Sequence, residues 1–249
     1  MKKTLAVVIG AALSVISASS LAADATITVK GELIPTGCTL AATDGNILDF
    51  GTRAVDKLTA DASNYIGTKQ SHITIECPSD MYVAFSTMHL NQGSESLVRK
   101  LSNGSSFVIT RPDNQTQDID LGGNFPASQI NPLMRAGAPA TKPAGAFWTL
   151  FSSPKVTTTA NSTAVEKNMI YVNDFSFGAT WNPATSISLQ DGIRMISVAD
   201  GSTATTPMAV KTVVFQADTA VTLLDKASFN DLTDREQYNG GFEITLRYK

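Results

Sequence analysis

The chain is poor in the residues that do chemistry. Of 249 residues only two are histidine, His72 and His89, two are cysteine and two are tryptophan. With so few imidazoles and thiols a cysteine-rich zinc site cannot be assembled. Hydrolase, metalloprotease, phosphate-loop and dinucleotide motifs (G-x-S-x-G, H-E-x-x-H, G-x4-G-K-[ST], G-x-G-x-x-G) are all missing. The composition therefore points away from an enzyme and calls for no cofactor. Lysine and arginine are scattered, with no basic run, and the net charge is −3. A mildly acidic chain has no electrostatic attraction to nucleic acid.

Long apolar runs are also absent, except at the start. Residues 1–23, "MKKTLAVVIGAALSVISASSLAA", carry Lys2 and Lys3, then an apolar stretch from Leu5 to about Ile16, then small residues. This is the three-part pattern of a secretory signal, with cleavage expected near Ala22 or Ala23. The apolar part is shorter than the ~20 residues of a membrane-spanning helix. Removing the leader's two lysines takes the net charge from −3 to −5. The mature chain is expected to be exported and not to insert in a membrane. In an exported chain the even pair Cys38 and Cys77 reads as a disulfide, with a metal site as the alternative.

What is present is strand after strand. "HITIEC" (72–77) puts Ile73, Ile75 and Cys77 on one face and His72, Thr74 and Glu76 on the other. "MYVAFS" follows the turn residues Pro78, Ser79 and Asp80, so 72–86 reads as two strands around a tight connection. Further strands are expected in "SSFVIT" (105–110), "AFWTLFS" (146–152), "NMIYVND" (168–174), "TSISLQ" (185–190), "AVKTVVFQA" (209–217) and "GFEITLRYK" (241–249). No segment has a convincing helical period, although "TDREQY" (233–238) could form a short turn. Short strands separated by turn residues suggest one all-β sandwich. Residues 87–104 and 111–145 read as long loops. "NPLMRAGAPATKPAGA" (131–146), with three prolines and two glycines, is expected to lack regular structure.

Several polar features have ordinary explanations. Asp118 and Asp120 in "DIDLGG" lack calcium-loop spacing and read as turn residues. Asn103, Asn114 and Asn161 sit in N-x-[ST] triplets that mark polar loops. Trp148 and Trp181 could stack on a sugar, with core packing the commoner role.

The two ends of the mature chain carry the most specific signal. In "ITVKGELIPTGCTL" (27–40), Ile27, Val29 and Leu33 share one face with Gly31 between them, and Lys30 and Glu32 share the other. In "GGFEITLRYK" (240–249), Phe242, Ile244, Leu246 and Tyr248 alternate with Glu243, Thr245, Arg247 and Lys249. The chain's last strand has nothing after it to pair with.

These features resemble the pilus subunits assembled by the chaperone–usher pathway. The match is carried by a leader, an alternating extension with glycine in its apolar face, and a first cysteine in "PTGCTL". It continues with a second cysteine in "HITIECPSD" and a final strand with a penultimate aromatic, Tyr248; "DFG" (49–51) is a further likeness. It is strong over roughly 24–86 and 205–249 and weak between. The chain is longer than a typical major pilin and ends in Tyr-Lys where those subunits often end in Tyr-Gln. This brings it closest to the GltF-like group of fimbrial-type periplasmic proteins.

The resemblance implies an incomplete immunoglobulin-like sandwich over residues 37–249, a pilin fold whose missing strand leaves a hydrophobic groove. A periplasmic chaperone would fill the groove first, and the 24–36 extension of a neighbouring subunit would replace it at an outer-membrane usher. Ile27, Val29 and Leu33 would then be pocket residues and Gly31 the point of close approach. Phe242, Ile244, Leu246 and Tyr248 would edge the groove. The function implied is a non-catalytic structural subunit of a surface fimbria, moving from periplasm to cell surface. The alternative is a periplasmic or surface carbohydrate-binding adhesin that uses the long middle loops.

Overall fold

The alternation that begins at "HITIEC" extends well beyond it. In the computed structural model, β2 (Asn64–His89) is a single strand of 26 residues. The described residues are 37–91, 98, 100–119, 131–136, 142–188, 193, 195–233 and 236–249, and all belong to one unit, Thr36–Lys249. The expected leader (1–23, with Ala22 and Ala23) and the donor residues Ile27, Val29, Gly31 and Leu33 lie outside them.

Pro78, Ser79 and Asp80 do not reverse the chain, contrary to the hairpin read from the sequence. The ladder between β2 and β12 (Ala209–Leu223) runs antiparallel from Asn64↔Leu223 to Tyr82↔Ala209. It skips once, where Cys77 to Asp80 bulge out opposite Lys211 alone. Proline has no N–H to give a ladder, so the bulge is where the strand can hold it. The Asp80 carboxylate is taken up by the backbone N–H and hydroxyl of Thr159, at 2.7 and 3.0 Å.

Beyond the bulge β2 changes sheets. Val83–His89 pairs with β14 (Phe242–Tyr248) along one edge, and Phe85 meets Ile196 of β11 (Met195–Ala199) on the other. The first sheet thus contains β1 (Thr39–Ala42), the first part of β2, β12 and β6 (Pro143–Thr157). The second contains β14, the end of β2, β11, β8 (Asn168–Val172) and β9 (Asn182–Ala184). A second crossing follows β9, because β10 (Ser186–Ser188) returns to pair with β6. All these ladders are antiparallel, and the chain is an all-β sandwich.

Alternate residues of both sheets meet in the middle. Phe85 of the second sheet stands edge-on against Phe151 and Phe215 of the first, with centroids 5.2 and 5.0 Å apart. Such pairs add about 0.5–1.5 kcal/mol each beyond their burial. The disulfide Cys38–Cys77 then ties the residue before β1 to β2 across 39 positions.

Two strands that the sequence does not reveal are buried on both faces. All five residues of β11, "MISVA", are buried, because Trp181, Ile170, Val172 and Met195 form a second small core on the outer side of that sheet. A strand covered on both sides reads as a plain apolar run without alternation. Residues 131–146 are the other case. They form β5 (Asn131–Arg135, all buried) and the start of β6, paired from Asn131↔Phe147 to Met134↔Pro143. Pro132 lies at this sheet's margin, where its carbonyl accepts from the Asn91 amide at 2.9 Å, and Pro143 is the first residue of its strand. Both are places where a missing N–H costs no ladder bond. Gly145 is there for space: a Cβ would lie 2.1 Å from the Thr222 carbonyl oxygen and 2.7 Å from Leu223 Cα.

The stretch 111–145 holds one more strand. β3 (Phe107–Thr110) and β4 (Thr116–Ile119) form a hairpin whose Phe107, Ile109 and Ile119 are buried. It is pinned to the first sheet by the Thr110 N–H donating to Thr222 Oγ1 at 3.1 Å. Short turns of 3-10 helix at Thr43–Asn46, Val55–Lys57 and Lys226–Phe229 complete the regular structure, and none of the described helices is long or apolar enough to cross a membrane.

Because the Gly145 neighbours are backbone atoms, Gly145→Ala is expected to destabilise by about 3 kcal/mol, at the upper end for overpacking. Replacing Cys38 and Cys77 by serine should cost about 4 kcal/mol on the chain-entropy account. Urea unfolding at neutral pH measures both.

Candidate functional site: an open cleft beside the last strand

β14 has the alternation read from its sequence. Phe242, Ile244 and Leu246 turn inward onto the main core, and Glu243, Thr245 and Arg247 turn outward. Phe242 reaches deepest, its ring 6.4 Å from that of Phe147 and 6.1 Å from that of Phe151. Tyr248 departs from this series. It is 41% exposed, and its hydroxyl end packs where a Cβ on Gly37 would come within 2.5 Å. The glycine of "PTGCTL" thus makes room for the penultimate aromatic. The strand is held to its last residue, since Lys249 and Tyr82 exchange backbone hydrogen bonds of 3.1 and 2.9 Å.

One edge of β14 is paired with β2 from Phe242↔His89 to Tyr248↔Val83. The other edge has no strand partner among the described residues. Beside it opens a cleft of about 1480 Å³. Its floor is the inner face of the first sheet: Ile73 of β2, Phe147 of β6, and Thr219, Val221 and Leu223 of β12. One wall is Phe242 and Ile244 with Tyr238 to Gly241; the facing wall is the irregular segment 40–53. In that wall Ile47 is 71% exposed. The "DFG" triplet makes a turn there: Asp49 Oδ1 accepts the Gly51 N–H at 2.8 Å, and Gly51 has φ +74°, a conformation natural to glycine.

The lining is apolar with two polar points. Thr219 shares a 2.9 Å hydrogen bond with Thr149 across the ladder. The Tyr238 hydroxyl is buried with no hydrogen-bond partner among the described residues. Burial pushes the Tyr238 phenol pKa up, against the pull of Arg53 and with a smaller push from Asp49.

The approach to β14 is fastened by charges. Arg135 of β5 is buried and reaches Asp231 at 2.7 Å and Glu236 at 2.5 Å, while Lys142 takes the second oxygen of Asp231. Burial works against the Arg135 charge, but the two carboxylates outweigh it and leave its pKa above the ordinary value. The Arg135 and Lys142 hydrogen bonds hold the Asp231 carboxyl well below the usual carboxylate range. Nearby, fully buried Asp225 accepts hydrogen bonds from the Ser102 N–H and hydroxyl and from the Ser228 hydroxyl. Burial alone would raise its pKa; these donors more than compensate, and the value is lowered.

Of the residues singled out in the sequence, Cys38 and Cys77 are bonded, Phe242 and Ile244 line the cleft, Leu246 packs on the core, and Tyr248 lies beyond the cleft lining. Trp148 and Trp181 are both buried, so neither offers a face for a sugar. Arg111 stacks over Trp148 at 5.2 Å. His89 is buried at the end of β2, and His72 is half-buried. Asp118 lies on the exposed side of β4, and Asp120 is outside the described residues. No group of three or more potential metal ligands occurs among the described residues. Sequence reasoning missed the 40–53 wall, Leu133 and Gly240. The wall has no periodicity to detect, and Gly240 shows its role only through what surrounds it.

Residues 27–121, under half of the chain, match a sequence family described as a protein of unknown function (DUF1120). No curated protein and no solved structure matches the chain.

The depressed carboxyls of Asp225 and Asp231 stabilise the fold at neutral pH. That contribution is complete above the ordinary carboxylate value of about 3.9 and is lost as pH falls through the lower folded-state values. The melting temperature should thus be level from pH 7 to 5 and fall below about pH 4. Asp225→Asn should lower it at pH 7 and flatten part of the acid decline. An acid decline identical to that of the unaltered chain would remove Asp225 from this account.

Proposed function

We propose that the chain is a non-catalytic structural subunit of a surface fimbria, joined to its neighbours by β-strand addition. The observation that carries this reading is the open apolar cleft beside the unpaired edge of β14. A bare edge strand invites another strand, and natural proteins cover or blunt such edges. Here the edge runs beside an uncovered core, so an added strand would gain both backbone hydrogen bonds and side-chain burial.

On this reading the two-sheet architecture is an immunoglobulin-like pilin fold lacking its last strand. The leader exports the chain, a periplasmic chaperone first covers the cleft, and an outer-membrane usher hands it to the 24–36 extension of a neighbouring subunit. Ile27, Val29 and Leu33 enter the apolar floor. Burying three such side chains is worth roughly 5–9 kcal/mol before ordering costs. That is comparable to the net stability of a whole domain. The alternative, a carbohydrate-binding adhesin, draws less support. Both tryptophans are buried, and residues 131–135 and 143–146 are sheet rather than loop.

Co-expression with a fimbrial-type periplasmic chaperone should yield a one-to-one complex. Adding a peptide of residues 24–36 should displace the chaperone and raise the melting temperature by about 10–20 °C. Gly31→Leu should block polymerisation and leave chaperone binding intact. A chain that is a stable monomer, indifferent to chaperone and peptide alike, overturns the reading.

A further inference from the structure

We infer that the strand entering the cleft belongs to a second copy of this chain, laid antiparallel to β14 in one register: Gly31 opposite Phe242 and Lys30 opposite Glu243. This rests on the strand-addition reading above and names its partner and alignment.

The inward face of β14 is Phe242, Ile244 and Leu246, and that of the extension is Ile27, Val29, Gly31 and Leu33. Inward residues must face inward, so permitted alignments differ by steps of two. Charge separates them. One step from the stated register sets Glu32 against Glu243, the next sets Lys30 against Arg247, and the next sets Lys30 against Lys249. Like charges directly opposite are destabilising. A step the other way moves Lys30 off the strand, to Gly241, and sets Val29 against Phe242. The stated register alone pairs Lys30 with Glu243 without a like-charge pair, and it also brings Asp24 opposite Lys249.

Size gives the same answer independently. The Phe242 ring, packed with Phe147 and Phe151, fills the depth beside it, and glycine is the residue that asks for no more. Two positions on, Leu33 falls opposite Gly240, which has no side chain. A Cβ at Gly240 would lie 2.7 Å from Leu133 Cδ2 and 3.0 Å from Phe147 Cε1, so an apolar surface already lies beneath that point. Small meets large at one position and large meets nothing at the next. Parallel alignment on Lys30 and Glu243 loses both matches, since it sets Val29 against Phe242. Complementarity of charge and size between two ends of one sequence identifies the partner as a second copy.

The test uses the full chain, expressed with its leader and exported, carrying Lys30→Cys and Glu243→Cys together. A ladder of covalent oligomers on a non-reducing gel is expected. The pair Glu32→Cys and Glu243→Cys should give none. Separately, Lys30→Glu should weaken self-association about fivefold, and adding Glu243→Lys should restore it. A ladder from the Glu32 pair, or oligomers that form without cross-linking through residues 30 and 243, overturns the register and leaves strand addition standing. A cross-link within one chain overturns the second copy. A chain that stays monomeric and uncross-linked overturns both the inference and the reading it rests on.

Discussion

Backbone N–H and C=O groups must be hydrogen-bonded or wet, and β14 satisfies only one of its two edges within the described fold. The other edge borders the cleft, whose floor is the inner face of the opposite sheet. A polar edge and an apolar floor, side by side, are together what a β-strand supplies: backbone bonds sideways and alternate side chains downward. The proposed role in a fibre follows from this one unmet requirement.

The rest of the fold holds that opening in shape. β2 belongs to both sheets, so the strand beside β14 and the strand under the cleft floor are one covalent piece. The bulge at Pro78 lets it turn from one sheet to the other without breaking. The disulfide and Gly37 bring the residues before β1 against the end of β14. At the other end, Arg135 with Asp231 and Glu236 secures the segment that leads into β14. Each wall is thus anchored to the sandwich rather than to the other wall, which leaves the space between them free for a strand.

Legibility in the sequence followed exposure. Strands with one wet face alternate, and "HITIEC", "SSFVIT" and "GFEITLRYK" were readable for that reason. β11 and β5 have no wet face, so their sequences, "MISVA" and "NPLMR", carry no alternation. The prolines of 131–146 argued for a loop, yet each sits where a strand needs no N–H. Pro78 argued for a turn and marks a bulge instead. Half the cleft could be read, since Phe242 and Ile244 lie on an alternating strand. The 40–53 wall could not, because irregular backbone is placed by contacts distant in sequence.

By itself the sequence determined the all-β class, the inward face of β14 and the pairing of two cysteines, because period-two alternation and an even cysteine count act locally or leave one choice. Tertiary structure alone decided that one strand serves both sheets, that the tryptophans are buried, and that the space beside β14 is open. Those outcomes depend on which residues, far apart along the chain, come to lie against each other, and no local pattern encodes that.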